Sequence, residues 1–312
     1  MKQVRHDGRI AQAGIYLGKF LRMFVYQSDW KVLPIGAFIT AVVTFVVGEN
    51  LFVTQEGTLT GAFALVCVCI WNGFFNSIQV VCRERDIVKR EHRAGMYIFS
   101  YVAAHMIYQF LLCAGQTVVT LLILRLAGVS VPQQGVVTAW GILDLGVTIL
   151  LVTYAADMMA LMVSCIVRTT TTAMTVMPFL LIFQLVFSGA FFALEGFARR
   201  ITGLTISHWG LNAVCAVGRY NEQPMVTLWN TIFKFRNIEY MGQTPLLDLI
   251  REAERTGTRD AFLLWSGTYN QDPAYAAVVE NVLHCWGILA LLTVVFILVA
   301  GIALRSIDRD KR

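Results

Sequence analysis

The chain is short of charge. Charged residues make up 14% of its 312 residues, whereas soluble domains usually carry about 25%. Hydrophobic residues make up 57%, and the mean hydropathy is +0.63. This balance excludes an ordinary soluble domain and indicates a chain that lies in lipid. The net charge of +5 is not gathered into one aromatic-rich basic patch, so we expect no nucleic-acid partner.

The sequence also lacks the common catalytic and nucleotide-binding motifs. It contains no H-E-x-x-H helix for zinc, no G-x-S-x-G nucleophile turn and no G-x-x-x-x-G-K-[ST] phosphate loop. Its five histidines are scattered, and no pair of its seven cysteines has zinc-ligand spacing with a histidine nearby. We therefore expect a chain that holds no metal, binds no ATP through a phosphate loop and is not an enzyme by itself.

The cysteines are mostly placed in or beside apolar runs, where cysteine behaves as a small hydrophobic residue. Their positions are Cys67, Cys69, Cys82, Cys113, Cys165, Cys215 and Cys285. Cys215 and Cys285 could both lie outside the membrane and form a disulfide, but the sequence does not determine their pairing.

Long apolar runs are abundant. A helix needs about 20 mostly apolar residues to cross a bilayer. Six runs of this kind lie near residues 32–53, 62–81, 97–124, 138–167, 173–194 and 283–304. We therefore predict an all-α polytopic membrane protein with six transmembrane helices, five within residues 32–194 and the sixth at 283–304.

Basic residues set the orientation of such a chain, because loops rich in Lys and Arg stay in the cytoplasm. The N-terminal residues, the loop at 82–93 and the tail at 305–312 are rich in Lys and Arg. The short loops at 48–61 and 125–137 contain one basic residue between them, Arg125. The first thirty residues carry charges and no pure apolar core, so we expect no cleaved signal peptide. We predict a multi-pass protein of the plasma (inner) membrane with both termini in the cytoplasm.

Two segments outside the apolar runs are expected to have a structure of their own. Residues 15–30, at the end of the cytoplasmic N-terminal region 1–31, interleave apolar and charged side chains. This pattern favours an amphipathic helix in the interface, and the alternative is a simple helical start of the first span. Residues 195–282 form a sizeable extracytoplasmic segment, whose beginning we expect to dip back toward the membrane and whose residues 246–255 read as a helix. Its many aromatic residues argue against disorder.

A short charged stretch, residues 82–93, lies between the second and third apolar runs. Charges of both signs surround one apolar pair there, Ile87 and Val88, and the i, i+4 spacing of Ile87 and Glu91 is consistent with a short helix. Such a surface suits docking to a soluble protein. The alternative, positive charge that only sets topology, accounts for the basic residues but not for the acidic ones.

A few acidic side chains fall inside the predicted spans. Asp157 lies midway along the fourth, and a carboxylate in lipid is by default a candidate functional site. We favour the alternative, in which the carboxylate faces the bundle and hydrogen-bonds Tyr154, Thr153 or a neighbouring helix. Asp144 lies nearer the outer end of the same span.

Amides and aromatic residues mark two further spans. Asn72 and Asn76 are four residues apart on the second span, so they share one helix face, with Phe75 beside them. The amides either join helices or line a substrate path, and the sequence leaves both open. The fifth span has an apolar face that is either packing or a cavity wall. Its members are Phe179, Ile182, Phe183, Leu185 and Val186.

Residues 83–101, RERDIVKREHRAGMYIFSY, resemble the coupling segment of type-2 ATP-binding-cassette (ABC-2) permeases, most closely those of the G subfamily. FSGAFF at 187–192 resembles the end of that family's fifth span, and residues 207–222 resemble the re-entrant segment that follows it. Residues 15–30 occupy the place of the family's connecting helix. The matching positions in the coupling segment are Glu84, Glu91, Gly95, Tyr97 and Tyr101.

The resemblance implies an export permease that dimerises, which we expect as a homodimer in membrane lipid. It also implies a partner, an ABC ATPase on a separate or detached polypeptide, which would bind ATP and Mg, while this chain binds no cofactor. The implied contacts with the ATPase are Glu84, Arg85, Lys89, Arg90 and Glu91. The implied substrate-binding positions are Asn72, Phe75, Asn76, Phe179, Ile182 and Leu185.

The sequence restricts the cargo and the class of function less than it restricts the fold. The apolar face of the fifth span suggests a lipid-like, amphipathic or peptide-like substrate. The chain departs from the family pattern in lacking a proline midway along the third span and in its longer outer segment. Two other classes stay open at this point: a polytopic enzyme that acts on lipid through Asp157 and the outer segment, and a membrane sensor or scaffold that binds ligands with that segment.

Overall fold

The computed structural model describes residues 8–26, 29–190, 196–239 and 243–305. Within these ranges the chain is helical and contains no β-strand, so the all-α prediction is confirmed. The helices are α1 (Arg9–Tyr26), α2 (Val32–Val47), α3 (Gln55–Ser77), α4 (Val80–Arg83), α5 (Arg85–Arg93), α6 (Ile98–Leu126), α7 (Gly141–Ile166), α8 (Thr170–Val186), α9 (Gly196–Thr202), α10 (Ile206–Val217), α11 (Thr227–Lys234), α12 (Pro245–Thr256), α13 (Arg259–Gly267) and α14 (Val279–Arg305). The end of the predicted fifth span, 191–194, and most of the tail lie outside the described residues.

Four stretches of described helix are long and apolar enough to cross a membrane: Gln55–Arg83, which joins α3 to α4, Ile98–Leu126, Gly141–Ile166 and Val279–Arg305. α2, with 16 residues, and α8, with 17, are apolar but shorter. At 1.5 Å per residue they extend about 24 to 26 Å, less than the roughly 30 Å of the hydrocarbon core. The described residues therefore contain four candidate spans, and the presence of six transmembrane helices stays a prediction.

The predicted first run is longer than its helix for a local reason. α2 ends at Val47, and the chain turns at Phe52, whose φ is 63° and whose N–H donates to Thr58 Oγ1 at 3.0 Å. Leu51 and Phe52 are buried, so this apolar tail packs into the protein instead of extending the helix. In the predicted fifth run, α8 carries Pro178 in its interior, where one backbone hydrogen bond is lost.

α7 lies at the centre of the bundle and packs against α3, α10 and α14. It approaches α3 closely at Gly73. A Cβ at this position would lie 2.4 Å from the carbonyl oxygen of Thr153 and 2.7 Å from the amide nitrogen of Asp157. Glycine is therefore required there, because any side chain would push the two helices apart.

The beginning of the outer segment returns to the bundle. α10 has 12 residues, is buried throughout from Gly210 to Val217, and packs against α3, α7 and α14. That this segment dips back toward the membrane stays a prediction. Cys215 on α10 and Cys285 on α14 are both free and buried, so the disulfide considered for them is not formed.

The remainder of this segment forms a small helical unit. α11, α12 and α13 pack around Trp229, Ile250 and Leu263, and α12 covers the helical run predicted at 246–255. Glu56, in the first turn of α3, accepts from the backbone N–H of Thr227 at 2.7 Å and thereby attaches α11 to the bundle. The assignment of residues 195–282 to the extracytoplasmic side stays a prediction.

Candidate functional site

α1 is a separate amphipathic helix that lies along α6. Phe20 of α1 is buried, and its ring stacks on the imidazole of His105 with 3.9 Å between ring centroids. At the other end of α1, the carbonyl oxygen of Arg9 accepts from Ser100 Oγ at 2.8 Å. These contacts fasten α1 to the start of α6.

The charged stretch forms α5, and one face of it turns toward α1. Lys19 Nζ of α1 lies 3.3 Å from Glu84 Oε2, immediately before α5, and Glu84 is only 9% exposed. One turn along α1, the hydroxyl of Tyr16 donates to Glu91 Oε2 at 2.9 Å. Burial, and next the hydrogen bond to Glu91, raise the pKa of Tyr16 above its ordinary value, so this donor stays protonated. Both acids predicted to contact the ATPase therefore bond to α1.

A second set of contacts fastens α5 to α7. Arg85 Nη1 donates to the carbonyl oxygens of Cys165 at 3.0 Å and Val167 at 2.9 Å. These belong to the end of α7, where unpaired carbonyls and the helix dipole favour a cation. Ser164 Oγ accepts from the backbone N–H of Val81 at 3.0 Å in α4. The charged stretch is thus held to a membrane helix through Arg85, which we had expected to face the partner.

The opposite face of α5 is exposed. Ile87 is 38% exposed although it is a large apolar residue. Asp86 and Arg90 lie on one side of it and are also exposed, whereas Glu91, four residues on, lies on its other side and is half-buried. Lys89, another predicted coupling residue, is half-buried. Of the five predicted coupling positions, Arg90 is the one that lies fully on this outer face.

A family model of the ABC-2 type transporter matches residues 20–217, more than half of the chain. This chain belongs to the ABC-2 type transporter family. It is therefore a multi-pass membrane permease rather than an enzyme on its own, and the family normally partners with an ABC ATPase subunit. No curated protein matches the chain. The matched region begins in α1 and ends with α10, so it includes α5, and the resemblance to the G subfamily stays a prediction.

The predicted substrate residues of this ABC-2 permease separate into two groups. The four apolar ones lie on exposed surfaces of α3 and α8, which contact each other. They are Phe75 (44% exposed), Phe179 (70%), Ile182 (56%) and Leu185 (38%). The two amides, Asn72 and Asn76, are buried. Asn72 packs against α2, where a Cβ on Gly36 would come within 2.9 Å of its Oδ1 atom.

Asn76 belongs to a buried polar network around Asp157. Asn76 Nδ2 donates to Asp157 Oδ2 at 3.2 Å and to Gln116 Oε1 at 2.9 Å. Ser77 Oγ donates to the other oxygen of Asp157, and Cys113 Sγ to Oδ2 at 3.3 Å. The network joins α3, α6 and α7. Asp157 bonds to neighbouring helices, as the reading we favoured expects, although its partners are not Tyr154 or Thr153. A transport role for Asp157 is not tested by these contacts and stays a hypothesis.

The network includes a feature of α6 that sequence reasoning missed. Four polar or thiol side chains, at i, i+4, i+8 and i+11, lie on the buried face of this apolar helix: His105, Gln109, Cys113 and Gln116. Gln109 Nε2 donates to Ser77 Oγ at 2.7 Å and so extends the network toward α5. A search for polar residues at helical spacing inside the third span would have found this stripe.

Asp144 has a structural place in the permease. It is fully buried in the first turn of α7. Its carboxylate accepts from the backbone N–H groups of Val136 at 2.6 Å, Val137 at 2.9 Å and Thr138 at 3.0 Å. These bonds hold the loop before α7, because a carboxylate that accepts several N–H bonds strongly orders the backbone around it.

Proposed function

We propose that this ABC-2 permease is the membrane subunit of an ATP-driven exporter. A separate or detached ABC ATPase binds ATP and Mg, docks on α5 and changes the arrangement of the permease helices. A second copy of the permease completes the transport path. The protein lies in the plasma (inner) membrane with six crossings (α2, α3–α4, α6, α7, α8 and α14) and with both termini cytoplasmic. The cargo is lipid-like, amphipathic or peptide-like.

The observation that carries this proposal is that α5 has two unlike faces. Its inner face is bonded to α1 and α7 through Glu84, Glu91 and Arg85. Its outer face carries the charged Asp86 and Arg90, and the exposed apolar side chain of Ile87 lies at the edge of this face, one turn from Glu91. An exposed apolar side chain beside charged ones is a composition found at protein-docking surfaces. A loop that served topology alone would have no need of the inner bonds.

The inner bonds also supply a route for mechanical coupling. A partner that displaces α5 displaces the end of α7 with it, because Arg85 bonds to the carbonyls of Cys165 and Val167. It displaces α1 through the Lys19–Glu84 ion pair. An ATPase that binds one position of α5 more tightly would shift the permease between two helix arrangements by its difference in affinity.

The exposed apolar residues of α3 and α8 support the proposed transport path. Phe179 and Ile182 are more than half exposed in the single chain. In a membrane such side chains face either lipid or a second copy, and a path between two copies would present them to an apolar cargo. The buried amides Asn72 and Asn76 then act as contacts between helices, which supports one of the two readings that the sequence left open.

The test is co-purification of the ABC ATPase with charge and polarity variants of the outer face. We expect Ile87→Glu to reduce the amount of ATPase recovered at least about tenfold, because it puts a charge in place of the exposed apolar side chain of the docking surface. Arg90→Glu should reduce it less, because rim charges contribute little. Arg199→Glu on α9, an exposed residue with the same change of charge, is the matched control.

Equal recovery of the ATPase with Ile87→Glu, Arg90→Glu and Arg199→Glu would contradict the proposal. Charge reversal of Glu84 or Glu91 is a poorer test, because both acids bond to α1 and their replacement would loosen α1 as well. Transport by the purified permease without any ATPase would also contradict it.

A further inference from the structure

We propose that the cavity enclosed by α1, α3 and α6 binds the head group of a phospholipid that carries a primary amine. This site adjoins the surface proposed for cargo, since Phe75, Asn76 and Met174 line it, but it does not include Phe179, Ile182 or Leu185 of α8. It lies at the end of the bundle where α5 contacts α1 and α7. The proposal concerns binding alone and does not depend on ATP-driven transport.

The cavity has a volume of about 290 Å³, far more than the roughly 10 to 15 Å³ that one water needs. The polar residues of its wall are Asn76, Gln79, Arg83, Glu84, His105 and Gln109, and apolar and aromatic side chains make up the remainder. This mixture suits a small polar group attached to an apolar body better than it suits either water or hydrocarbon alone.

Two buried side chains on the polar wall have unused hydrogen-bonding atoms. Neither ring nitrogen of His105 has a partner among the described residues, and neither does Gln109 Oε1. Both residues are almost fully buried, at 1% and 0% exposure. Buried polar atoms are nearly always satisfied in folded proteins, so each of these atoms needs a partner that the described residues do not supply. Gln109 Oε1 can only accept, which requires a ligand with a hydrogen-bond donor.

The charges of the wall favour a zwitterionic head. Glu84 has 11% of its side chain exposed, pairs with Lys19 and lines the cavity, so it offers acceptor oxygens to an ammonium group. Arg83 is exposed at the edge and lines the same cavity, where a guanidinium would bind a phosphate. A primary ammonium with N–H donors would satisfy Gln109, whereas a quaternary ammonium has no donor to offer.

An apolar groove continues from this cavity. It has a volume of about 140 Å³ between α1, α2 and α6, and it shares Tyr108 and Leu112 with the polar cavity. Its other lining residues are Leu21, Phe24, Leu33, Leu111 and Gly115. A polar chamber joined to an apolar groove matches a head group joined to an acyl chain, so the two spaces together select an amphiphile.

The test compares two lipids that differ only in their head group. The purified permease is placed in nanodiscs that contain equal amounts of phosphatidylethanolamine and phosphatidylcholine with the same acyl chains. After extraction, native mass spectrometry counts the lipid retained per chain. We expect about a fivefold to tenfold preference for phosphatidylethanolamine, the factor that one or two net hydrogen bonds supply.

Two kinds of variant test the two parts of the site. The paired substitution His105→Phe and Gln109→Leu removes the unused polar atoms, together with the bond from Gln109 to Ser77 Oγ, with little change of shape and should abolish the preference. Gly115→Leu should fill the groove and reduce retention of both lipids. It can be accommodated because a Cβ at Gly115 meets no atom within 4 Å. Gly287→Leu on α14, also free of contacts within 4 Å and outside the groove, is the matched control.

Equal retention of the two lipids by the unaltered permease would overturn the proposal, and so would a preference that survives the paired substitution. Loss of retention in Gly287→Leu as strong as in Gly115→Leu would overturn the groove assignment. Failure of ATPase docking on α5, with this lipid preference intact, would reject the proposed function while leaving the lipid site in place.

Discussion

Replacement of Gly73 by alanine is the sharpest test of how the membrane helices pack. The added Cβ would lie 2.4 Å from the carbonyl oxygen of Thr153, 2.7 Å from the amide nitrogen of Asp157 and 2.8 Å from the Cβ of Ala156. Two of these three atoms belong to the backbone of α7, so no change of rotamer relieves the overlap. α3 and α7 must therefore separate by about 1 Å to restore ordinary contact distances.

The magnitude follows from two opposing effects. Overpacking costs about 1 to 3 kcal/mol, and contacts with an immobile backbone place Gly73→Ala near the upper end. Alanine is favoured over glycine in a helix by about 1 kcal/mol, which offsets part of this. We expect a net loss of about 2 kcal/mol in the free energy of unfolding.

The measurement is unfolding of the permease in mixed micelles of a mild and a denaturing detergent, monitored by circular dichroism. Gly115→Ala is the control, because it is the same substitution within a membrane helix but has no atom within 4 Å of the new Cβ. We expect it to be neutral or stabilising by up to about 1 kcal/mol. If Gly73→Ala unfolds at the same detergent fraction as Gly115→Ala, then α3 and α7 do not pack as described.

Three further predictions concern α5 and the buried carboxylate. Arg85→Ala removes two charged hydrogen bonds to the end of α7. It should weaken the packing of α5 on α7 by about 1.5 to 3 kcal/mol, which would appear as faster hydrogen exchange at residues 82–93. Unchanged exchange would refute the anchoring role of Arg85. Tyr16→Phe should loosen α1 by about 1 kcal/mol through loss of the bond to Glu91. Because the pKa of Tyr16 is raised, the hydroxyl's contribution is fully present below its ordinary pKa of about 10 and is lost as pH rises through the raised value. The difference between wild type and variant in exchange of α1 should therefore persist at pH 9, and its absence there would contradict this assignment. Asp157→Asn should preserve ATP-driven transport while lowering thermal stability, because the amide cannot accept all the bonds that the carboxylate accepts; loss of transport with normal folding would give the carboxylate a working role.

Much of the membrane architecture was predictable from local composition. The apolar runs, the helix at 246–255 and the short charged helix were all read correctly in kind, because the tendency to form such elements adds up residue by residue along a continuous stretch. The lengths of α2 and α8 were not predicted correctly, because the apolar runs that contain them are longer than the helices. The apolar residues Leu51 and Phe52 continue the first run, yet they turn and pack into the protein, and hydropathy alone does not distinguish lipid from a protein interior.

Which neighbour each side chain of the candidate site contacts depends on how its helix is oriented about its own axis. Glu84 and Glu91 stood out as charged residues in an otherwise apolar chain, but their sequence positions could not say whether they face a partner or α1. Lys19 and Glu84 are 65 residues apart, and their contact exists only because α1 lies along the start of α6. The sequence singled out Ile87 as half of an apolar pair, but the structure was needed to show that it is exposed.

By itself, then, the sequence determined that the chain is a helical membrane protein with one short charged helix between two apolar runs, since burial in lipid and helical periodicity act over neighbouring residues. Only the tertiary structure decided which side of that stretch is exposed, which amide joins Asp157, and that His105 and Gln109 line a cavity. Those features require side chains from α1, α3, α6 and α7 to meet, and the approach of α3 to α7 at Gly73 is a property of two helices together.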